Sequence, residues 1–297
     1  MKLTRLQADG LLFFTTIVWG GAFVAQKFGN AQIDPSMFVG IRFAIAALLL
    51  SPFAYRERAK APIKQASFWL YIAIGLCLAM ANIIQQWGLT MTRVTNSGFI
   101  TSLYAAMVPF AALFINKTPL RLLPTLAAVI AVAGAWLLST NGQSISFDTG
   151  DLITLVSDIG WALQIIFIAR AVKLDQQPLW IAFVQYAVTA AIGIALGLFG
   201  KPLTWHDLSL TMTPLLYTGV LSSAIGFTLP CIALRYTPEA EGAVIMSLEG
   251  VFCALAGAIF FDDKLSVLGM AGCGLIFLGV LMVELSPLLT RQTKTAG

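Results

Sequence analysis

Ten apolar segments, each close to twenty residues long, follow one another along the chain with short polar links between them. About twenty apolar residues in a helix cross the hydrocarbon core of a bilayer. The segments span residues 9–28, 35–55, 67–89, 95–115, 120–139, 152–172, 179–199, 212–235, 241–261 and 265–285. The sequence therefore predicts an all-α integral membrane protein with ten transmembrane helices.

The composition excludes a water-soluble domain. The chain is 58% apolar and 11% charged, with a mean hydropathy of +0.85, whereas about a quarter of the residues in soluble domains are charged. No small-residue cleavage site follows the first segment, so we expect a retained helix and not a signal peptide. The net charge of +4 is spread between apolar segments. We therefore expect a lipid bilayer, and no nucleic acid, as a partner.

Metal-ligand and catalytic motifs are missing from the sequence. Cys77, Cys231, Cys253 and Cys273 lie inside apolar segments without ligand spacing, and the single histidine, His206, stands in a predicted loop. The chain carries no phosphate-binding glycine loop and no nucleophile elbow. We expect no metal, no cofactor, no ATP-driven step and no enzymatic activity.

Lys and Arg residues in the links predict the orientation of the chain. With a cytoplasmic amino terminus, thirteen basic residues fall on the inside and four on the outside. The inside set is Lys2, Arg5, Arg56, Arg58, Lys60, Lys64, Lys117, Arg121, Arg170, Lys173, Arg235, Arg291 and Lys294, and the outside set is Lys27, Arg93, Lys201 and Lys264. Both termini are therefore predicted to be cytoplasmic.

The two halves of the chain resemble each other weakly. Trp19 corresponds to Trp161, and Ser102-Leu103 corresponds to Ser247-Leu248, at offsets of 142 and 145 residues. Each half contains five segments, an odd number, so the second half must enter the membrane in the opposite sense. We predict two inverted repeats, 1–141 and 142–297, with a substrate site between them near the bilayer midplane.

Several short motifs resemble the EamA branch of the drug/metabolite transporter superfamily. They are Trp19-Gly20-Gly21, Arg42-Phe43, the stretch from Asn96 to Pro109, and Ser247-Leu248-Glu249. The resemblance implies a bacterial inner-membrane secondary transporter of small organic solutes, often an amino-acid exporter. It also implies that helices one to four and six to nine line a central cavity, with five and ten outside. Gly250 stands where the family often has proline, which implies a softer break in the ninth helix.

Polar side chains on two neighbouring segments predict a wet cavity. Uncharged polar groups lack partners in lipid, so such faces should turn towards protein or a cavity. On the third segment, Asn82, Gln85 and Gln86 stand at i, i+3 and i+4 and so share one helical face. On the fourth segment, Ser97, Thr101 and Tyr104 stand at i, i+4 and i+7 and also share one face. We predict that these faces bind a small-molecule substrate.

Three ionisable residues lie inside apolar segments. Arg42 carries an insertion cost of about 2.5–3.5 kcal/mol at a membrane centre. Its side chain either extends outward to the interface or braces helix ends through backbone carbonyls, or it has a functional role and attracts a substrate carboxylate or pairs with an acidic residue. Glu249 is the first candidate for a proton carrier, with a structural ion pair as the alternative, and Asp158, one turn before Trp161, is the second.

Four further candidates permit two interpretations each, and four other polar residues have a structural role as the expectation. Gln164 and Gln185 either bind a zwitterion or tie helices together, as interhelical hydrogen bonds do. Trp19 and Trp161 either form aromatic walls of the cavity or pack in the core. Ser222 and Ser223 are predicted to serve close helix packing, and Glu239 and Glu241 to stabilise a helix start.

These features together predict an alternating-access exporter of amino acids or similar metabolites. A transporter of larger aromatic or cationic solutes, including drugs, is the first alternative. An intramembrane lipid-modifying enzyme is the second, and it requires a clustered catalytic pair, of which the sequence shows no convincing example. Ten helices can enclose a pathway within one chain, so we expect a monomer, with a dimer as the alternative.

Overall fold

The computed structural model describes residues 3–60, 65–140, 148–262 and 266–295, and every regular element in these ranges is helical. The elements are α1 (Arg5–Asn30), α2 (Pro35–Arg58), α3 (Gln65–Thr90), α4 (Val94–Thr101), α5 (Tyr104–Ile115), α6 (Leu122–Thr140), α7 (Thr149–Leu174), α8 (Pro178–Gly197), α9 (Trp205–Leu216), a π-helical segment (Tyr217–Ile225), α10 (Thr228–Ala233), α11 (Glu239–Met246), α12 (Glu249–Phe261) and α13 (Val267–Thr295). The prediction of an all-α protein is confirmed.

Each of the ten predicted segments coincides with one helical span. Among the described residues, eight spans are long and apolar enough to cross a membrane, and two shorter apolar helices, Leu122–Leu137 and Val267–Val283, occupy the fifth and tenth positions. Three spans are interrupted and consist of more than one helix. They are formed by α4 with α5, by α9 with the π-helical segment and α10, and by α11 with α12.

The fourth and ninth segments are broken helices; a softer break was expected in the ninth, and none was predicted in the fourth. The break lies at Ser102-Leu103 in one span and at Ser247-Leu248 in the other. In both breaks the serine hydroxyl donates to a carbonyl of the preceding turn, from Ser102 to Gly98 over 3.0 Å and from Ser247 to Val244 over 2.6 Å. Such local bonding competes with a regular helix and satisfies backbone groups that lipid cannot.

The break in the ninth span forms without the proline that the family often has there. Gly250 serves a different purpose, because a Cβ atom at this position would lie 2.5 Å from the hydroxyl oxygen of Ser102. A Cβ atom at Gly98 would lie 2.3 Å from the sulfur of Cys253. The two glycines therefore allow the broken spans to approach each other closely.

The eighth span begins earlier than predicted and contains a π-helical segment. His206 was predicted to lie in a loop, but it stands in the first turn of α9, where the Thr204 hydroxyl caps the helix by accepting from the amide of Asp207 over 3.1 Å. Further along, the amide of Gly226 donates to the carbonyl of Leu221 over 2.9 Å, five residues back. The hydropathy pattern carries no signal for this change of helix type.

The fifth and tenth spans, α6 and α13, pack along each other outside the other helices. Their backbones meet at glycines, since a Cβ atom at Gly134 would lie 2.5 Å from the carbonyl oxygen of Gly272. Likewise, a Cβ atom at Gly279 would lie 2.8 Å from the carbonyl oxygen of Ala127. These small residues therefore allow the two helices to pack closely against each other.

Ion pairs join several elements at the end of the bundle where α1 begins, which we call the amino-terminal end. Glu241 accepts from Arg5 and, over 3.4 Å, from Arg121, and Glu239 accepts from Lys173 over 3.3 Å. Both carboxylates belong to the first turn of α11, as predicted for residues that stabilise a helix start. Glu241 also connects the predicted second repeat to Arg5 and Arg121 of the first.

Candidate functional site

A small cavity of about 20 Å³ lies among the broken spans, with room for about one water molecule. Its wall comprises Trp19, Ala22, Phe23, Gln26, Arg42, Asn82, Gln85, Trp161, Ser222, Phe227 and Glu249. Five of the predicted substrate-binding residues are in this wall, namely Trp19, Arg42, Asn82, Gln85 and Trp161, together with the predicted proton carrier Glu249. The fold thus gathers polar groups from six of its ten spans around one small space.

Arg42 is a buried cation on this wall, with a side chain only 1% exposed. Its Nη2 donates to Oδ1 of Asn82, whose amide nitrogen donates to the carbonyl of Leu78 over 3.0 Å. The guanidinium also lies 5.1 Å from the ring centroid of Phe43, a favourable cation–π arrangement. Among the described residues, no carboxylate forms an ion pair with Arg42, and its Nε has no hydrogen-bond partner. The charge is therefore positioned but not neutralised.

Glu249 is the carboxylate of the cavity wall and the first residue of α12, immediately after the break in the ninth span. It is 4% exposed, and Tyr104, the first residue of α5 after the other break, lies beside it. Within the described ranges, its Oε1 has no hydrogen-bond partner. The start of a helix carries partial positive charge, which favours an acidic group at this position.

Asp158 lies behind the wall on α7, one turn before Trp161, and is fully buried. Neither of its carboxylate oxygens has a hydrogen-bond partner in the part of the chain that the structure describes. It lies close enough to Glu249 for the two charges to interact. The sequence showed no convincing pair of intramembrane carboxylates, and the fold brings these two together.

Three aromatic rings form one side of the cavity. The ring of Phe227 stacks on Trp161, with centroids 5.6 Å apart and an interplanar angle of 4°, and lies 4.6 Å from Trp19. The indole nitrogen of Trp19 donates to the carbonyl of Ser222 over 3.2 Å. Ser222, which was predicted to serve helix packing, lies in the π-helical segment and lines the cavity. Such π-helical turns often occur at functional sites.

Polar side chains on α1 and α3 complete the wall. Gln85 donates to the hydroxyl of Thr101 over 2.6 Å, and Thr101 donates to the carbonyl of Ser97 over 2.8 Å, so Thr101 positions Gln85 from behind. Gln26 was missed by the sequence analysis, although it lies seven residues after Trp19 and therefore on the same helical face. Phe227 was also missed, and no local pattern distinguishes it from other core aromatics.

Five predicted substrate-binding residues are not in the cavity wall: Thr101 and Tyr104, which contact residues of the wall, and Gln86, Gln164 and Gln185, which connect helices. Gln86 donates to Oδ1 of Asn30 over 2.7 Å, which joins α3 to α1. Gln164 donates to Oε1 of Gln185 over 2.9 Å, which joins α7 to α8, and Gln185 donates in turn to the sulfur of Cys231 over 3.4 Å. These contacts correspond to the alternative interpretation of interhelical ties.

Comparison with known proteins identifies similar sequences over nearly the whole chain. The model of the EamA-like transporter family matches twice, at residues 6–140 and 148–285. An uncharacterized transporter of Archaeoglobus fulgidus is 28% identical over 95% of this chain and 87% of its own length. The threonine/homoserine exporter RhtA of Escherichia coli K12 is 30% identical over 90% of this chain and 87% of its own length.

Two further similarities concern localisation and fold. The uncharacterized inner membrane transporter YedA of Escherichia coli K12 is 25% identical over 93% of this chain and 90% of its own length. One solved crystal structure superimposes with a TM-score of 0.77 at 16% identity, covering 98% of this chain and 99% of that chain. At that identity the superposition shows a shared fold.

Proposed function

The chain belongs to the EamA-like transporter family, and from this premise we propose that it exports small neutral amino acids across the inner membrane by secondary-active transport. The repeats would be residues 1–141 and 142–297, inverted relative to each other, with both termini in the cytoplasm. Alternating access then requires the two halves to rock around the central cavity.

The observation that carries the proposal is the presence of Arg42 and Glu249 in the wall of one cavity. Each has a buried polar atom without a partner among the described residues, Nε of Arg42 and Oε1 of Glu249. An α-amino acid is a zwitterion, so its carboxylate complements the guanidinium and its ammonium complements the carboxylate. Charge-assisted hydrogen bonds of this kind are roughly twice as strong as neutral ones.

The neutral polar groups of the wall suit a small substrate. Gln26, Asn82 and Gln85 add neutral amide groups to the same wall. The relative RhtA is named for threonine and homoserine, both of which carry a hydroxyl. We therefore choose these two amino acids as the first substrates to test.

A transporter of cationic solutes is the second candidate, because Trp19, Trp161 and Phe227 surround a carboxylate in the same cavity. Aromatic faces with a carboxylate bind organic cations well. Arg42 argues against this second candidate. Its positive charge has no counter-ion among the described residues, so it would repel a cationic solute in a cavity of this size. The family and the names of the relatives favour transport over the intramembrane enzyme.

Counterflow in proteoliposomes tests the proposal. The full chain is reconstituted at equal pH on both sides, and exchange is measured with radiolabelled threonine, homoserine, leucine and the cation tetraphenylphosphonium. We expect saturable exchange of an amino acid and none of the cation. Exchange of the cation alone would establish the second candidate, and no exchange of any amino acid would contradict the first.

A variant at Arg42 makes the test specific for the substrate carboxylate. In the wild type, an amine that lacks the carboxylate should compete with the amino acid at least about tenfold more weakly, equivalent to about 1.4 kcal/mol. Arg42→Gln should remove this discrimination. Arg93→Gln, which alters an exposed arginine at the start of α4 away from the cavity, is the matched control and should preserve it.

A further inference from the structure

We propose that the chain binds one phospholipid in a groove between α1 and α9, with an acyl chain lying between the two helices and the phosphate group at Lys201. Among the described residues, the groove shares no lining residue with the central cavity. It lies in the half of the bundle opposite the amino-terminal end, which the orientation prediction places in the outer leaflet. Because the site is separate from the cavity, the inference does not depend on which solute the protein carries.

The groove has the dimensions of one acyl chain. Its volume is about 670 Å³, and it runs from Gly21 and Tyr217 at its deep end to Gln32 and Leu210 at its mouth, with Phe260 of α12 on the third side. We call it the lateral groove. Gly21 and Gln32 are eleven residues apart on α1, which corresponds to a length of about 16 Å. One hydrocarbon leaflet is about 15 Å thick, so an extended chain from that leaflet fits the groove along its length.

Opposite faces of α1 line the groove and the cavity. The groove face consists of Gly21, Val24, Ala25 and Phe28, and the cavity face consists of Trp19, Ala22, Phe23 and Gln26. The two sets have the same spacing and are two positions out of register, which is a rotation of about 200° around the helix. An acyl chain in the groove therefore lies directly behind the cavity wall, with only α1 between them.

Tyr217 closes the deep end of the groove. Its hydroxyl donates to the carbonyl of Val18 over 3.1 Å, so this polar atom is already satisfied. A Cβ atom at Gly21 would lie 2.7 Å from the same hydroxyl oxygen, and the glycine thus lets the tyrosine reach α1. Phe28 stacks on Phe261 with ring centroids 5.3 Å apart, which holds the end of α12 against the third side. The groove is therefore formed by packed helices and not by a loop.

The surface of the groove suits hydrocarbon better than water or a polar solute. Phe28, Leu210 and Phe260 are 48%, 52% and 61% exposed, so the groove opens to the surroundings of the bundle, which at this depth are lipid. Water stays in a cavity only where it finds several polar partners. A zwitterion would lose its hydration there without compensation. An acyl chain loses nothing on entry and gains close contacts with the side chains.

Lys201 supplies the contact for the headgroup at the mouth. Its Nζ donates to the carbonyl of Gln32 over 2.8 Å and lies 3.3 Å from Oδ2 of Asp207. An ammonium group has three N–H donors, so the described structure leaves one of them for a phosphate oxygen. Because Gln32 lines the mouth, a phosphate at Lys201 is in position to continue into a chain within the groove.

Photolabelling of the reconstituted full chain tests the depth of the chain. The liposomes contain a small fraction of phosphatidylglycerol that carries a diazirine on one acyl chain, and peptide mass spectrometry identifies the labelled residues. With the diazirine at the chain end, we expect labelling concentrated at Gly21 and Tyr217. With the diazirine next to the glycerol, we expect it at Gln32 and Leu210. Equal labelling of all exposed helices by either probe, or the reverse order of depths, would overturn the proposal.

Variants that fill the groove make the test specific. Ala25→Phe should lower the labelling of Tyr217 by the chain-end probe at least about fivefold. Thr213→Phe, at an exposed position on the opposite side of the groove, should do the same with less risk to folding. The matched control is Ala191→Phe, an exposed alanine of α8 near the same end of the bundle, which should leave the labelling unchanged. Unchanged labelling in both groove variants would contradict the site.

A second probe tests the headgroup contact. Diacylglycerol with the same diazirine chain lacks the phosphate, so it should label the groove of the wild type about threefold more weakly than phosphatidylglycerol, as expected for an exposed ionic contact. Lys201→Gln should remove this preference, and Arg93→Gln, at an exposed residue of the same predicted side, should preserve it. Equal labelling by the two lipids in the wild type would overturn the role of Lys201. Cross-links between two copies of the chain through the groove, in place of lipid, would overturn the phospholipid as its occupant.

Discussion

The hydroxyl of Ser102 donates a hydrogen bond to the backbone carbonyl of Ser247 over 3.1 Å, and the two serines are 145 residues apart. Each occupies the break in its span, so the two interruptions contact each other directly. The residues that follow the breaks, Tyr104 and Glu249, are neighbours at the cavity. The contact between the breaks is therefore what brings the start of two half-helices to the candidate site.

The close approach of the broken spans predicts that Gly98→Ala destabilises the protein. The added Cβ atom would lie 2.3 Å from the sulfur and 2.5 Å from the Cβ atom of Cys253. Such overpacking costs about 1–3 kcal/mol. Thermal unfolding in detergent should show a lower Tm, which Cys253→Gly in the same chain should partly restore. Gly274→Ala is the control, because a Cβ atom there meets nothing within 4 Å of the described structure. Equal stability of both variants would contradict the close contact.

Variants at two glutamines distinguish a side chain that connects helices from one that belongs to the cavity wall. Gln185→Leu removes the acceptor of Gln164 and leaves a buried amide unsatisfied, which costs about 1–3 kcal/mol. We expect a lower Tm with an apparent Kd for the exchanged amino acid within about twofold of the wild type. Gln85→Leu, in the cavity wall, should weaken binding at least about tenfold. Equal effects of the two variants on binding would contradict the assignment of Gln185 to a tie.

The ion pairs of the amino-terminal end predict a difference between the two ends of the bundle. Glu241→Gln removes the shared partner of Arg5 and Arg121, which join the predicted halves, and hydrogen bonds to charged groups contribute about 1.5–3 kcal/mol. We expect a lower Tm and easier labelling of a cysteine placed at Thr118 by a water-soluble maleimide. Lys201→Gln removes the pair between an exposed lysine and Asp207 at the other end, which does not join the predicted halves through a shared carboxylate, and should change neither.

The predicted orientation can be measured with single cysteines in a background without the four native ones. A membrane-impermeant maleimide added to intact cells should label Lys201→Cys and leave Arg121→Cys unlabelled, because the first lies on the predicted outer side and the second on the cytoplasmic side. Permeabilised cells should show labelling of both. The reverse pattern in intact cells would place the termini outside.

The sequence by itself determined the number and positions of the helical spans and marked the unusual groups within them. Hydropathy reports the transfer of each segment into lipid, which is a local property, so ten segments were recognisable without their neighbours. Arg42 and Glu249 stood out for the same reason, since a charge among apolar residues is expensive wherever the segment packs.

Only the tertiary structure decided which of these groups meet. The packing of helix faces brings Asp158 close to Glu249 and places Gln26 and Phe227 in the cavity wall. It also places Gln164 where it donates a hydrogen bond to Gln185. The breaks at Ser102 and Ser247 likewise arise where two spans touch, and hydropathy averaged along a segment contains no record of that contact. The physical reason is that membrane insertion is settled segment by segment, whereas a binding site is made by side chains that only packing brings together.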